Sequence, residues 1–315
     1  MPAIRILLLV VITAILAVPT RGASLTPYRV GYNDWVGFIA FLVGIERGDF
    51  AKAGLDVQAK NFAAPGDGLV PLLNGNLDAH LTTLDAVVLK ASQAPGRLKI
   101  VQLIDTSDGA DAVLGLTSEI KSPADLKGKR VAVTLGECNE ILLVKALESA
   151  GLTEKDVELV NMDPDAAGTA LKAGQVDAAV TWEPWISQLV GAKQANTIYS
   201  SVQVPNILAD CIAITPNADR EATRKFLTAL AVTTDWTLSH PEQAAELVSK
   251  KLELPVPEIV GMLRKVKVYD TATSRIQMAG PALHSAAELS NFFYSKGSTP
   301  DKVDVAPLFD TSLLP

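Results

Sequence analysis

The sequence predicts an α/β protein of two lobes, each built on a largely parallel sheet. Three observations predict it. From Tyr28 onward, short apolar runs alternate with stretches of helical periodicity. The alternation starts afresh near Lys121. Two apolar extended segments, 112–117 and 208–215, bracket the second unit, so the chain reads as crossing out of the first lobe and back. The expected division is 24–114 with 213–315 for lobe 1 and 115–212 for lobe 2, with two hinge strands between them.

In the first unit, YRVGY (28–32) reads as a strand and Trp35 to Lys52 as a helix stopped by Gly54. LDVQAKNF (55–62) is a strand, 66–74 a short helix, DAHLTT (78–83) a strand and 84–93 a helix ended by Ala94-Pro95-Gly96. LKIVQLI (98–104) and AVLGLT (112–117) complete its strands. The second unit repeats the rhythm without a strict sequence repeat. Its strands are 130–135, 157–162, 177–182 and 196–201, and its helices 138–150, 165–173 and 184–190. After the return segment the chain is helical: 219–239, 241–251, 256–265 and 281–295.

Composition excludes several classes. The 315 residues are 48% hydrophobic with dispersed charge, which is not the composition of a disordered chain. Arg5, the apolar run Ile6 to Val18 and the small residues around Gly22 form a signal-peptide pattern over 1–22, too short in its apolar part to span a bilayer. Its removal leaves 26 Lys+Arg against 35 Asp+Glu, a charge of −9, which disfavours nucleic acid and anionic membrane surfaces as partners. Cys138 and Cys211 are compatible with a disulfide in an exported chain or with two buried thiols.

DAAVTWEPW (177–185) is the stretch with the most chemistry. It reads as a buried strand ending at Trp182, then Glu183 at the carboxyl edge where ligands of open sheets collect, then Pro184 at a helix start. The structural alternative is that both tryptophans are core and Glu183 a solvated helix start.

Several pieces, taken in order, resemble one family. Glu46-Arg47-Gly48-Asp49-Phe50 through Gly54-Leu55-Asp56-Val57 is similar to an E-G-x-F-x-x-x-G-L-x-V segment. LLNGNLDA (72–79), Ser122 to Val133, Leu147 to Val157 and Leu171 to Ala178 are similar to further motifs of the same proteins. They are the substrate-binding proteins of ABC importers for nitrate, taurine, sulfonates and thiamine-precursor pyrimidines, the NMT1/THI5-like family. The resemblance implies a bilobed periplasmic-binding-protein fold (type II) and a monomeric periplasmic receptor. It further implies delivery of a small-molecule ligand to a permease driven by a separate ATPase, with no catalysis and no cofactor.

In that family four loops contribute ligand contacts: here Asn33-Asp34-Trp35, Thr82-Thr83-Leu84-Asp85, Gly136-Glu137-Cys138-Asn139-Glu140 and Trp182-Glu183-Pro184, with Asp210 a fifth candidate. The expected ligand set is Asp34, Trp35, Thr83, Asp85, Cys138, Asn139, Glu140, Trp182, Glu183 and Asp210, with no metal. The loops hold acids and no Lys or Arg. Converging carboxylates repel an anion and suit an amine, amidine, guanidinium or aminopyrimidine, with Trp35 and Trp182 adding cation–π contacts of roughly 0.5–2 kcal/mol. The alternatives are helix capping by Asp34 and Asp85, dipole stabilisation by Glu137 and Glu140, and an oxyanion ligand held by helix N-termini. A hydrolase is disfavoured, because His80, His240 and His284 are scattered and match no nucleophile, P-loop or zinc pattern. A ligand-sensing periplasmic receptor is a further alternative.

Overall fold

The computed structural model describes residues 24–117 and 119–315; the expected signal peptide lies outside them. The strands in chain order are β1 (Thr26–Tyr32), β2 (Leu55–Asn61), β3 (Ala79–Thr83), β4 (Lys99–Ser107), β5 (Asp111–Leu116), β6 (Arg130–Val133), β7 (Glu158–Asn161), β8 (Ala178–Trp182), β9 (Ala195–Ser200), β10 (Ala209–Ile214) and β11 (Val266–Val268). They form two sheets, ordered β11-β4-β10-β3-β1-β2 and β7-β6-β8-β5-β9. In the first, β1 runs parallel to β2 and β3, while β10 is antiparallel to β3 and β4. In the second, β6 runs parallel to β7 and β8, and β5 is antiparallel to β8 and β9. Each lobe is one such sheet with helices packed on it, the two-lobed α/β architecture expected.

The same side-chain device closes the β–α–β unit of each lobe. Arg29, midway along β1, pairs with Asp78 just before β3, with the backbone N–H of Arg29 donating to the same carboxylate at 2.7 Å. Arg130 at the start of β6 does the same with Asp177 just before β8, its N–H at 2.9 Å. At the opposite strand end, Thr82 donates to Pro65 O (2.7 Å) and Thr181 to Pro164 O (2.8 Å). The Gly-x-x-Asp-Ala segments at 75–79 and 174–178 therefore do equivalent work in the two lobes: a left-handed glycine turn, then an acid that anchors the first strand.

The crossings differ from the expected ones. The run expected to cross at 112–117 lies wholly in the second sheet as β5, and the run at 208–215 lies in the first as β10. The chain changes lobe in the short segments 108–110 and 201–208. The lobe boundaries shift with it: Asp111–Leu114 sit in the second sheet and Ala209–Ile212 in the first. An apolar run looks alike on either side of a crossing; the break is set by Gly109, whose φ of 105° suits glycine alone, and by serines. Ser107 Oγ and Ser201 Oγ lie 2.8 Å apart, the Gly109 N–H donates to Ser201 Oγ (2.7 Å), and Thr106 Oγ1 donates to Leu208 O (2.9 Å).

Two other expectations change. The helix expected over 35–52 is broken into a short turn at Val36–Phe38 and helices Ile39–Glu46 and Asp49–Lys52, because Gly48 adopts φ 68°. Edge strand β11 and helix Thr271–Ala279, capped by Asp270, occupy a stretch with no assigned element. The C-terminal helices pack on the first lobe: Arg220–Ser239 against Ile39–Glu46, and Pro281–Ser295 against Leu84–Gln93. On the hinge side one continuous apolar core runs from Val87, Leu289 and Phe293 of the first lobe to Val131, Ile141 and Leu142 of the second.

His80 on β3 fills the space between two glycines, and its Nε2–H donates to Pro65 O at 2.8 Å. A Cβ on Gly31 would stand 2.6 Å from its Nδ1, and one on Gly68 2.4 Å from its Cε1. Gly31→Ala is therefore expected to destabilise the protein by about 1–3 kcal/mol in urea unfolding. Unchanged stability would show that His80 has room to move.

Candidate functional site

The carboxyl ends of β1, β3, β6 and β8 all face the seam between the lobes, so the four loops named above converge there. Between them is a small chamber of about 20 Å³, partly open to solvent. Its walls are Asn33, Trp35, Pro65, Thr83 and Asp210 of the first lobe, Ser107 and Leu208 at the hinge, and Asp111, Cys138 and Trp182 of the second. Trp182 also borders a wider outer cleft of about 890 Å³ that includes Asp34, Asn61, Asp165, Glu183 and Lys251. Trp35 and Trp182 face each other across the seam with ring centroids 6.3 Å apart at 48°. The Trp182 indole is fixed from behind: its Nε1 donates to Asp165 Oδ1 (3.0 Å), which also accepts from Trp185 Nε1 (2.9 Å).

Of the residues expected to contact ligand, Trp35, Thr83, Cys138, Trp182 and Asp210 line the chamber. The other five do not. Asp34 is exposed at the rim and accepts from Asn61 Nδ2 (2.7 Å). Asp85 is buried and bridges the lobes, accepting the Cys138 N–H at 2.9 Å; it thereby occupies the N-terminus of helix Cys138–Ser149. Asn139 is buried behind the chamber, its Nδ2 without a partner. Glu140 accepts the Gly136 N–H (2.6 Å) and pairs with Lys296 of the first lobe (2.6 Å). Glu183 reaches the edge of the outer cleft, but its fully buried carboxylate pairs with Lys265 and accepts from Ser187 Oγ at 2.9 Å. Three of the expected ligand acids thus hold the lobes together instead. Both cysteines are buried free thiols.

The sequence reading missed Asp111, Asp105 and Ser107. Asp111 opens β5 opposite Trp182 in the ladder and is only 4% exposed. An acid inside the apolar stretch 110–116 was the available signal, since a buried carboxyl needs a partner or a function. Asp105 lies opposite Asp210 across the β4–β10 ladder, fully buried, and takes a 3.3 Å hydrogen bond from Trp35 Nε1.

No Lys, Arg or His lines the chamber among the described residues. The electrostatics follow. Burial pushes the Asp111 carboxyl up to about 7, aided by the charges of Asp105, Asp85 and Glu183 and opposed by the Ser107 hydrogen bond. Asp105 and Asp210 are both raised by burial, and Asp210 further by the charge of Asp105 beside it; two adjacent buried carboxylates cannot both ionise, so the pair holds a proton at neutral pH. Glu137, at the edge of the seam, is pushed up to about 7 by burial and then by Asp85. Burial likewise raises the Cys138 thiol, so it is not a nucleophile. Among the described residues no His, Cys, Asp or Glu grouping could hold a metal ion, and no helix is long and apolar enough to cross a membrane.

A carboxyl raised on folding binds more protons folded than unfolded between its two pKa values, so stability falls as pH rises through that window. For Asp111 the window runs from about 4 to about 7, at roughly 1 kcal/mol per pH unit. Asp111→Asn removes this term. The variant is expected to be more stable than the parent at pH 8 and to lose that advantage toward pH 4, measured by urea unfolding at both. An equal difference at the two pH values would show that Asp111 ionises normally.

Comparison with known proteins places this geometry in context. The sequence model described as NMT1/THI5 like matches residues 35–244. A binding protein of Brucella abortus is 29% identical over 239 residues, 72% of each chain. An Escherichia coli protein named for binding aliphatic sulfonates is 26% identical over 249 residues, 76% of this chain and 75% of that one. A Haemophilus influenzae protein named for thiamine biosynthesis is 30% identical over 214 residues, 65% and 66%. Among solved structures, the alkanesulfonate-binding protein SsuA of Xanthomonas axonopodis, bound to MOPS, superposes with a TM-score of 0.78 at 20% identity, covering 92% of this chain and 99% of that one. The periplasmic sulphonate-binding protein of E. coli gives 0.74 at 24%, covering 90% and 92%. The desulfurization enzyme DszB shares the fold at 0.68 and 16%, covering 91% and 97%. The fold is that of the periplasmic binding proteins.

Proposed function

The chain belongs to the NMT1/THI5-like family, and from that membership and the chemistry of its cleft we propose that it is the extracytoplasmic solute-binding protein of an ABC importer. It captures a small molecule between the lobes and delivers it to a membrane permease driven by a separate ATPase. Exported location accords with the signal-peptide pattern at 1–22 and with relatives named as periplasmic. The chamber offers no activated nucleophile, which supports capture over catalysis.

The ligand we propose is a small nitrogen compound bearing positive charge or several N–H donors. The observation that carries this is the chamber lining: Asp111 and Asp210, 4% and 5% exposed, with no cationic side chain beside them. A second observation supports it. The N-terminus of helix Cys138–Ser149, where an oxyanion would find free amides, is already taken by Asp85. The relatives favour the other reading. Proteins named for sulfonates, one bound to MOPS, support an oxyanion ligand, and on the comparisons alone that alternative is the better supported.

Thermal unfolding against a ligand panel separates the two. A ligand at a hundred times its dissociation constant stabilises by about 2.7 kcal/mol, a shift of a few degrees for a chain of this size. The expected outcome is a shift with amines, amidines, guanidinium or aminopyrimidines and none with nitrate, taurine or alkyl sulfonates. A shift with the oxyanions alone would overturn the nitrogen-ligand reading and leave the transport role standing.

A further inference from the structure

We propose that the inner chamber takes a primary ammonium group in exchange for a proton, with Asn33, Asp111 and Asp210 as its three acceptors. The inference rests on the nitrogen-ligand reading above and specifies the head group and its linkage to pH.

The case begins with a buried acceptor that has no donor. Asn33 is 4% exposed, lines the chamber, and its Oδ1 has no hydrogen-bond partner. A buried unpaired acceptor costs about 1–3 kcal/mol, a cost removed when a donor arrives. Asp111 and Asp210 line the same chamber, and both are acceptors once ionised. An ammonium group supplies three N–H donors and no acceptor, which matches this set. Size agrees. A cavity of about 20 Å³ admits a water-sized group, and an ammonium head is of that size. The rest of the ligand leaves past Trp182 toward the outer cleft, which is roomy and open.

Charge balance supplies the proton. Asp111 faces the charges of Asp85, Asp105 and Glu183; Asp210 faces Asp105, Asp111 and Asp85. The thiols of Cys138 and Cys211 lie in the same field and stay protonated. Lys265, which faces Glu183, is paired with it and hydrogen-bonded to Ser187. The ligand-free chamber therefore relieves its charge by holding protons on carboxyls. When an ammonium enters, its N–H groups replace carboxyl O–H donors, and the displaced proton leaves to solvent. No covalent bond changes.

The probe is propylammonium, with propanesulfonate and tetramethylammonium as controls, titrated into the mature protein. Affinity is read by calorimetry in phosphate from pH 6 to 8, and acid release by pH-stat in unbuffered solution. Propylammonium is expected to bind with release of up to one proton per site at pH 6.5. Affinity should rise by up to about tenfold from pH 6 to 7 and level off above it. Tetramethylammonium, lacking N–H donors, is expected to bind at least tenfold more weakly. Asn33→Ala should weaken propylammonium without altering proton release, and Asp111→Asn should remove most of the pH dependence. Binding of propylammonium without acid release and with a flat pH profile overturns the exchange and leaves the nitrogen-ligand reading intact. Equal affinity for tetramethylammonium overturns the ammonium assignment. Failure of propylammonium to bind at any pH, whatever propanesulfonate does, overturns this proposal; the thermal panel then decides the broader reading.

Discussion

Beyond the apolar core they share at the hinge, the lobes meet through charge. The Asp85 carboxylate of one lobe accepts the first amide of a helix in the other, and Lys265 and Lys296 reach across the seam to Glu183 and to Glu140 and Glu154. Half-buried ion pairs of this kind hold only while both partners stay in register, because separating them leaves the buried carboxylate without its partner. The seam is thus specified by a few long-range pairs, and the space they enclose is what remains for a ligand. That space keeps carboxyls, and among the described residues no Lys or Arg lines it.

The alternation of strands and helices was legible because each lobe repeats a simple β–α–β rhythm with polar turns between apolar runs. Its breaks were not: Gly48 looks like any helical glycine until its φ is known, and Gly109 marks the lobe change in a polar turn just ahead of the apolar run that was expected to cross. The site was half legible. Loop position put Trp35, Thr83, Cys138, Trp182 and Asp210 at the seam, where they line the chamber. It misplaced Glu183, because the partner that neutralises it is Lys265, 82 residues away in the chain. It misread Asp85 and Glu140 for the same reason. Asp111 escaped because it lies one residue before the apolar run 112–117, and only the ladder shows that it opens β5.

The likeness between the lobes became visible only through side chains. The two Gly-x-x-Asp-Ala segments were legible as motifs, but their role as anchors for Arg29 and Arg130 depends on strand pairing. With that device at one edge and the Thr–Pro hydrogen bonds at the other, each lobe presents its strand ends to the seam in the same way. What differs is the residue that follows the anchoring threonine: Thr83 in one lobe, Trp182 in the other. A shared scaffold thus delivers a hydroxyl and an indole to opposite walls of the chamber.

The indoles have a further consequence. Trp182 and Trp185 are tied to one carboxylate, Asp165, within the second lobe. Trp236 is held under the Arg47 guanidinium, 3.9 Å from its ring, and stacked on His240. Trp35 alone approaches another tryptophan from the opposite lobe. Of the four indoles, then, one pair changes its separation when the lobes part while the rest keep their surroundings. Excitonic coupling between neighbouring indoles falls steeply with distance, so the near-ultraviolet circular dichroism of the unlabelled protein carries its own spectroscopic ruler for the state of the cleft.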